Sequence, residues 1–471
     1  MDANIFFGST QGLSKNFTQR KSPYSGGVVS RACKCTKEDA QKALKIAQDA
    51  AKEAKKTTLA QRCNWILDVA NKLEASKEDM AKTITDEVSK PIFFSRIEVD
   101  RCVETLRLSA ETMRTMHGET INTDAMSSGK KTISYFTRIP VGVVVAITPF
   151  NFPLNLAAHK LAPALVAGNA VVLKPTPEAP LTAFKFAKLF IESEYAIKDA
   201  LSVVYGDAEV GGALVSSDIP RVISFTGSVP VGEIITKSAG IKKISLELGG
   251  NAATYIDASA DLDLAAQRCA YGAFVNSGQV CISLQRIYVD AKIYDEFASK
   301  MARETSKLKV GSPYEDDTFL GPLIDDDSAK RAYEWVQSAI KEGAKPLLEV
   351  KCEGRVFYPC VMADVRDDMA IVCEEVFAPI VSLVKVESFE DALPRMNNSP
   401  YGLQFSVFTN SLDITKRAID ELDAGGVVIN DIPTLRFDIQ PYGGVKLSGV
   451  GREGPRFAIE EMSEIKSVII C

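Results

Sequence analysis

Histidine is nearly missing from this chain, with only His117 and His159 among 471 residues. Catalysis that pairs a serine with a histidine, and metal centres built from several histidines, therefore have almost no material to work with, and no metal is called for. Paired cysteines are missing too. The ten cysteines, at 33, 35, 63, 102, 269, 281, 352, 360, 373 and 471, include no pair spaced like a zinc ribbon or a redox CxxC. They read as reduced thiols of a cytoplasmic protein. There is no excess of positive charge: the formal net charge is −6 and the pI is near 5.4, which argues against nucleic acid or an anionic membrane as a partner. Nor is there a clean apolar run. Leu154 to Leu173 comes nearest, but Asn155, His159, Lys160, Pro163, Gly168 and Asn169 interrupt it, as in a buried helix followed by a strand. Residues 1–12 lack the basic start and apolar run of a signal peptide, and Cys471 is not placed for prenylation, so neither export nor lipid anchoring is expected. Internal repeats and low-complexity segments are also absent.

The rest of the composition is that of a globular protein, 46% hydrophobic and 25% charged, and its length exceeds what one core usually supports. Two or three domains are expected. Thr36 can cap a helix with the apolar stripe Ala40, Ala43, Leu44, Ala47, Ala50, Ala51 and Ala54, and helical pattern continues to about Thr115. Lys131 to Ile139 alternates, with Ile133, Tyr135 and Ile139 on one face, which predicts a strand exposed on one side. The period then changes. Short apolar strands at 142–147, 170–173, 201–204, 222–225 and 244–248 are separated by helical patterns near 154–167, 181–194 and 230–239. That alternation predicts an α/β fold with a doubly wound parallel sheet and a crevice at its carboxyl edge. A second α/β stretch runs from about Ala252 to Gln440. The tail, Ile465 to Cys471, reads as a final apolar strand with little chain left to cover it, so a neighbouring subunit is expected to do so.

Two segments carry the chemistry. Asn276-Ser277-Gly278-Gln279-Val280-Cys281 places a cysteine in a glycine-loosened loop, and Leu246-Glu247-Leu248-Gly249-Gly250 places a carboxylate at the end of an apolar strand. A thiolate and a carboxylate are the parts needed to make and then break a thioester. Phe225-Thr226-Gly227-Ser228-Val229-Pro230-Val231-Gly232 follows a buried strand and opens a helix, where glycines and free N–H groups suit a pyrophosphate, although a plain strand-to-helix turn would look the same. Gly449-Val450-Gly451-Arg452-Glu453-Gly454 matches GxGxxG, but no buried strand leads into it and too little chain follows for a βαβ unit, so it is rejected as a dinucleotide fingerprint. Further blocks follow in order: Thr148-Pro149-Phe150-Asn151-Phe152-Pro153, Leu173-Lys174-Pro175, Glu374-Glu375-Val376-Phe377, Tyr401-Gly402-Leu403 and Pro441-Tyr442-Gly443-Gly444. Together they resemble the NAD(P)-dependent aldehyde dehydrogenases along essentially the whole chain, and the small-aldehyde, lactaldehyde-like members in particular.

That resemblance implies a cofactor domain from residues 1–120 and 140–248, a catalytic domain from 249–440, and a small β element from 121–139 and 455–471 that serves a homodimer or homotetramer. It implies Cys281 as nucleophile, the Asn151 amide and Cys281 N–H as oxyanion donors, and Glu247 as the base that hydrolyses the thioester. Relatives that pass the acyl group to coenzyme A typically lack this carboxylate, so a free acid is the expected product. Lys160 and Glu464 match positions proposed to relay the proton, or form an ordinary ion pair. Around the cofactor, NAD or NADP, it implies Lys174 at the adenosine ribose, Ser228 at the pyrophosphate, Glu375 at the nicotinamide ribose and Phe377 against the nicotinamide. Thr148, Pro149, Phe150, Gly206, Phe225, Gly227, Gly232, Leu248 and Gly249 complete that site. The chain departs from the NAD-preferring pattern at Pro177, where those relatives carry a glutamate that repels a 2′-phosphate, so use of both cofactors is expected, with Glu178 as a partial substitute.

For the substrate the resemblance implies a tunnel of Phe150, Phe152, Asn155, Leu156, His159, Val280, Ile282 and Tyr442. Asn155 and His159 stand where many relatives acting on long or aromatic aldehydes are apolar. They suggest a small hydroxyaldehyde such as lactaldehyde or glycolaldehyde, or are satisfied groups behind the wall. Val280 stands where relatives acting on phosphonate aldehydes carry a base, which disfavours a doubly charged anion. Arg436, in the loop before Pro441, keeps a singly charged semialdehyde such as succinic semialdehyde as the alternative, or is a surface arginine. The competing classes are a thiol esterase and a non-catalytic structural protein on the same fold. The joint presence of Cys281, Glu247, Asn151 and Lys174 speaks against the second.

Overall fold

The computed structural model describes residues 2–12 and 16–471. After short strands that end with Val28–Cys33 come four helices: α1 (Lys37–Ala54), α2 (Leu59–Ala75), α3 (Lys77–Val88) and α4 (Ile92–Thr115). Thr36 caps α1, accepting from the Asp39 N–H while the Asp39 carboxylate accepts from the Thr36 N–H. The alanine-rich stripe that the spacing predicts is the face α1 buries.

Strand and helix then alternate through β1 (Val143–Ile147), α5 (Asn155–Val166), β2 (Ala170–Lys174), α6 (Pro180–Ile191), β3 (Leu201–Val203), α7 (Ala208–Ser216), β4 (Val222–Thr226), α8 (Val229–Ser238) and β5 (Lys243–Glu247). These five strands are parallel, in the order β5-β4-β1-β2-β3. The chain winds outward from β1 to β3, then returns to the other side of β1 for β4 and β5. Such a reversal opens a crevice at the carboxyl ends of the strands beside it. Ile5–Phe7 extends the sheet antiparallel to β3, and Gly449–Val450 extends it antiparallel to β5. The GxGxxG run thus begins in an edge strand. Residues 154–173 form α5, buried on every side, and β2; among the described residues no helix is long and apolar enough to cross a membrane.

The second half holds β6 (Ala252–Ile256), α9 (Leu262–Phe274), β7 (Leu284–Asp290), β8 (Cys360–Ala363), β9 (Ile380–Val386), β10 (Gln404–Phe408) and β11 (Gly426–Ile429). They form another parallel sheet in the order β8-β9-β7-β6-β10-β11. A third, antiparallel sheet pairs Ser463–Ile470 with Ile133–Pro140 along its whole length, and Glu119–Thr120 with the far side of Ile133–Pro140.

One expectation changes here. The tail is paired by Ile133–Pro140 of its own chain, although Ile465, Ile469 and Ile470 remain more than half exposed. Ile133–Pro140 begins exposed on one side, as its alternation predicts: Ile133 and Tyr135 point to solvent, while Ser134 on the opposite face is buried. Alternation alone gives the strand without its direction.

Candidate active site

The crevice holds a cavity of about 550 Å³ between the two parallel sheets. Asn151, Thr226 to Ser228 and Glu247 to Gly249 reach it from the carboxyl ends of β1, β4 and β5; Cys281, Glu375, Arg436 and Tyr442 reach it from the second half. The thiol loop has an unusual backbone. Asn276, Ser277 and Gly278 have φ of 52°, 55° and 70°, so two non-glycine residues sit in the left-handed region, at a cost of about 1–3 kcal/mol each. The surroundings impose this. Ser277 Oγ donates to the Gly321 carbonyl at 2.8 Å, and Gln279 Oε1 accepts from Ile324 N at 3.0 Å. A Cβ at Gly278 would lie 2.2 Å from the Ala378 carbonyl oxygen, and one at Gly250 would lie 2.1 Å from that of Cys281. Both glycines are there for close backbone approach.

Cys281 Sγ lies 3.0 Å from the Tyr442 hydroxyl. Burial pushes the thiol up to about 11, against the hydrogen bond from Tyr442 and the charge of Arg436. Asn151 is buried, and its Nδ2 donates to the Gln279 carbonyl at 3.1 Å, which leaves a second N–H on the same nitrogen. Glu247, 3% exposed, has no protein hydrogen bond at either carboxylate oxygen. Burial first, then the charge of Glu453, raise its carboxyl well above the usual range. A buried acid with free lone pairs suits general-base work on a water molecule.

Lys160 corrects one expectation. Its ammonium meets Glu453 Oε1 at 3.1 Å and Ser224 Oγ at 3.2 Å. Glu464 is instead on the exposed strand Ser463–Ile470, paired with Lys243 at 3.0 Å. Glu453, and not Glu464, is the carboxylate beside Lys160. Glu453 is the fifth residue of the run rejected as a fingerprint, and rejecting the run hid the residue. Its burial opposes ionisation, but Lys160 and Arg436 outweigh that and hold it at about 2.

Arg436 is no surface arginine: its side chain is 9% exposed, donates to Glu453 Oε2 at 3.1 Å, and lies 3.7 Å above the centre of the Tyr442 ring. Phe152, Asn155, Val280, Ile282 and Tyr442 also line the cavity. Asn155 Oδ1 accepts from Thr105 Oγ1 at 3.1 Å. His159 does not line the cavity; it is fully buried, with Nε2 2.9 Å from Asp438 Oδ1. Burial and Arg436 lower its pKa, while its hydrogen bond and the Arg101 cation, against the effect of burial, hold Asp438 well below the usual carboxylate range. Three further residues escaped the sequence reading. Glu98 and Arg101, one turn apart on α4, and Arg268 on α9 all line the cavity, and no local pattern distinguishes them from an ordinary helix face.

The residues present fit a dinucleotide. Pro149, Phe150, Gly227, Ser228, Leu248, Gly249, Glu375 and Phe377 line the cavity, whereas Thr148, Lys174, Pro177, Gly206, Phe225 and Gly232 lie outside it. Ser228 is the N-cap of α8 but makes no capping hydrogen bond, so hydroxyl and helix N-terminus are both free for an anion. A Cβ at Gly232 would come 2.7 Å from Leu248, and one at Gly249 2.6 Å from Glu375 Oε2, so these glycines keep the cradle open. Glu375 accepts from the Gly250 N–H at 2.8 Å; burial, opposed by that bond and by Arg331, pushes it up to about 7. Phe377, at φ 49°, sets its ring edge-on to Phe150 at 6.0 Å. Lys174 ends β2, buried, its pKa lowered by desolvation against the charge of Glu178. Pro177 is exposed, and the Thr176 hydroxyl donates to the Glu178 carboxylate.

Known proteins match this arrangement. Residues 10–468 match the family model described as Aldehyde dehydrogenase family. The chain is 42% identical over 436 residues to a 3-sulfolactaldehyde dehydrogenase of Priestia aryabhattai, covering 92% of this chain and 91% of that one. It is 39% identical over 462 residues to a lactaldehyde dehydrogenase of Methanococcus aeolicus, covering 97% and 98%. Its fold is similar to that of an NADP-dependent glyceraldehyde-3-phosphate dehydrogenase from Bacillus halodurans complexed with NADP, with a TM-score of 0.97 at 33% identity over 100% of this chain and 99% of that one. With the thiol, the buried carboxylate and the dinucleotide cradle in one crevice, the chain belongs to the aldehyde dehydrogenase family, enzymes that oxidise aldehydes to acids with NAD(P).

Proposed function

We propose that the substrate is a small hydroxyaldehyde, converted to its free acid through a thioester on Cys281. The observation that carries this reading is the convergence of Cys281, Asn151 and Glu247 on one cavity whose far wall mixes Phe152, Val280 and Ile282 with Asn155 and arginines. NAD(P), when bound, accepts the two electrons of the oxidation. Cys281 adds to the carbonyl carbon, and the Asn151 amide and the Cys281 N–H face the oxygen that gains charge. Glu247 then takes a proton from the attacking water, with Lys160 and Glu453 behind it as the buried pair that answers its change in charge. Residues 1–120 and 140–248 serve as cofactor domain and 249–440 as catalytic domain. The exposed isoleucines of Ser463–Ile470 and Ile133–Pro140 (residues 121–139 and 455–471) join subunits into a homo-oligomer. Cysteines that include no zinc-ribbon or CxxC pair suit the cytoplasm.

A hydroxyaldehyde carrying one negative charge is the second reading, because Arg101, Arg268 and Arg436 all line the cavity. The name of the Priestia relative, a 3-sulfolactaldehyde dehydrogenase, points the same way. Turnover of lactaldehyde, glycolaldehyde, 3-sulfolactaldehyde and succinic semialdehyde with NAD and with NADP tests both. The neutral hydroxyaldehydes are expected to give the highest kcat/KM. A preference of more than about tenfold for the charged aldehydes would transfer the specificity to the arginines, and turnover of none by folded protein would overturn both readings.

A further inference from the structure

Cys281 has to ionise in a site that burial makes hostile to a thiolate, and the usual helpers are missing. His159 is bound to Asp438 outside the cavity, and His117 is exposed on the surface. Among the described residues the Tyr442 hydroxyl, 3.0 Å from Sγ, is the side-chain group hydrogen-bonded to it. That tyrosine is held on three sides. Its N–H donates to the Glu453 carbonyl at 3.1 Å, and its carbonyl accepts from the Glu453 N–H at 2.7 Å. The Arg436 guanidinium lies 3.7 Å over the ring centre, and the Glu453 side chain holds that guanidinium in place. One residue thus fixes the ring through its backbone and the cation above it through its carboxylate.

We propose that the Tyr442 hydroxyl is the hydrogen-bond donor that holds Cys281 as its thiolate, and that the Arg436 cation over the ring makes it a stronger donor. Tyr442 keeps its own proton throughout. Ionisation breaks the S–H bond of Cys281 alone and releases that proton to solvent, while the phenol O–H turns from a neutral to an anionic acceptor. Burial raises the phenol well above its ordinary range, so it stays protonated over working pH. When sulfur adds to a carbonyl its charge passes to oxygen, so the contact favours the waiting thiolate and slightly blunts it as a nucleophile. The inference concerns the thiol and does not rest on which aldehyde is used.

The test is the pH dependence of iodoacetamide alkylation of full-length protein, followed by mass spectrometry of the peptide containing Cys281, which needs neither aldehyde nor cofactor. Tyr442→Phe keeps the ring and removes the donor. A hydrogen bond to a charged group of ordinary strength predicts that the apparent thiol pKa rises by about one to two units, so that alkylation at neutral pH slows by roughly three- to tenfold, the loss of thiolate being partly offset by its greater reactivity. Above both pKa values the plateau rate is expected to rise by about threefold per unit, as the freed thiolate becomes more basic. A tyrosine that merely fills space would give neither change. Site-specific 3-fluorotyrosine at 442, a slightly stronger donor of nearly the same shape, is expected to lower the thiol pKa and decides the matter if Tyr442→Phe does not fold. An unchanged thiol pKa, or a raised pKa with a lowered plateau, would overturn the proposal.

Discussion

Two carboxylates near the end of the chain differ in what surrounds them, and the difference decides which belongs to the chemistry. The Glu453 side chain is 4% exposed between Lys160 and Arg436; that of Glu464 is 51% exposed beside Lys243. Removing one member of a buried ion pair strands the others, so Glu453→Gln is expected to cost about 3–5 kcal/mol in urea unfolding and most of the turnover. Exposed pairs contribute little, so Glu464→Gln is expected to keep unfolding within about 1 kcal/mol and turnover within about twofold. The reverse ranking would return Glu464 to the relay. Glu375 supplies a pH dependence. Its carboxyl is pushed up to about 7, so below that pH the protonated form has lost an acceptor that ribose hydroxyls would use, and above it the carboxylate is restored. Cofactor Kd measured by fluorescence is expected to fall as pH rises through about 7, and Glu375→Gln is expected to flatten that profile.

The thiol loop shows how a local element carries precision. Gly278→Ala would have to fit a Cβ 2.2 Å from a carbonyl oxygen at a φ of 70°, so the loop must shift. A displacement of about 1 Å at the nucleophile is expected to lower kcat/KM by about a hundredfold. Circular dichroism should show the secondary structure intact. The strand Ser463–Ile470 carries a different prediction. Ile469→Glu places a charge on a residue 62% exposed in the single chain, so the fold is expected to survive while sedimentation velocity shows a shift to monomer. An unchanged assembly would remove this strand from the interface. Helix α1 and strands β1 to β5 were legible in the sequence because each follows a regular pattern, an alanine stripe at helical spacing or a short, largely apolar run. The direction of Ile133–Pro140 was not, because period two gives two faces without saying which one has a neighbour. Glu98, Arg101 and Asp438 were equally silent, since their roles come from contacts far apart in the sequence.

In the whole molecule the site belongs to neither half alone. The first sheet brings Asn151, Ser228 and Glu247 to the crevice on its carboxyl edge, and the second half brings Cys281, Glu375 and Tyr442 to the opposite wall. The division of labour follows from the reversal beside β1, where two strand ends diverge and leave room for a dinucleotide and an aldehyde to meet. Oxidation is expected to stop at a thioester on Cys281 until Glu247 activates water. Intact-mass spectrometry of Glu247→Gln, quenched in acid within seconds of mixing with NAD(P) and lactaldehyde, tests it most directly. One equivalent of reduced cofactor per subunit and one acyl group are expected, the acyl group located on the Cys281 peptide and absent from Cys281→Ala. Steady turnover by the glutamine variant, or a burst of reduced cofactor with no adduct on Cys281, would contradict it.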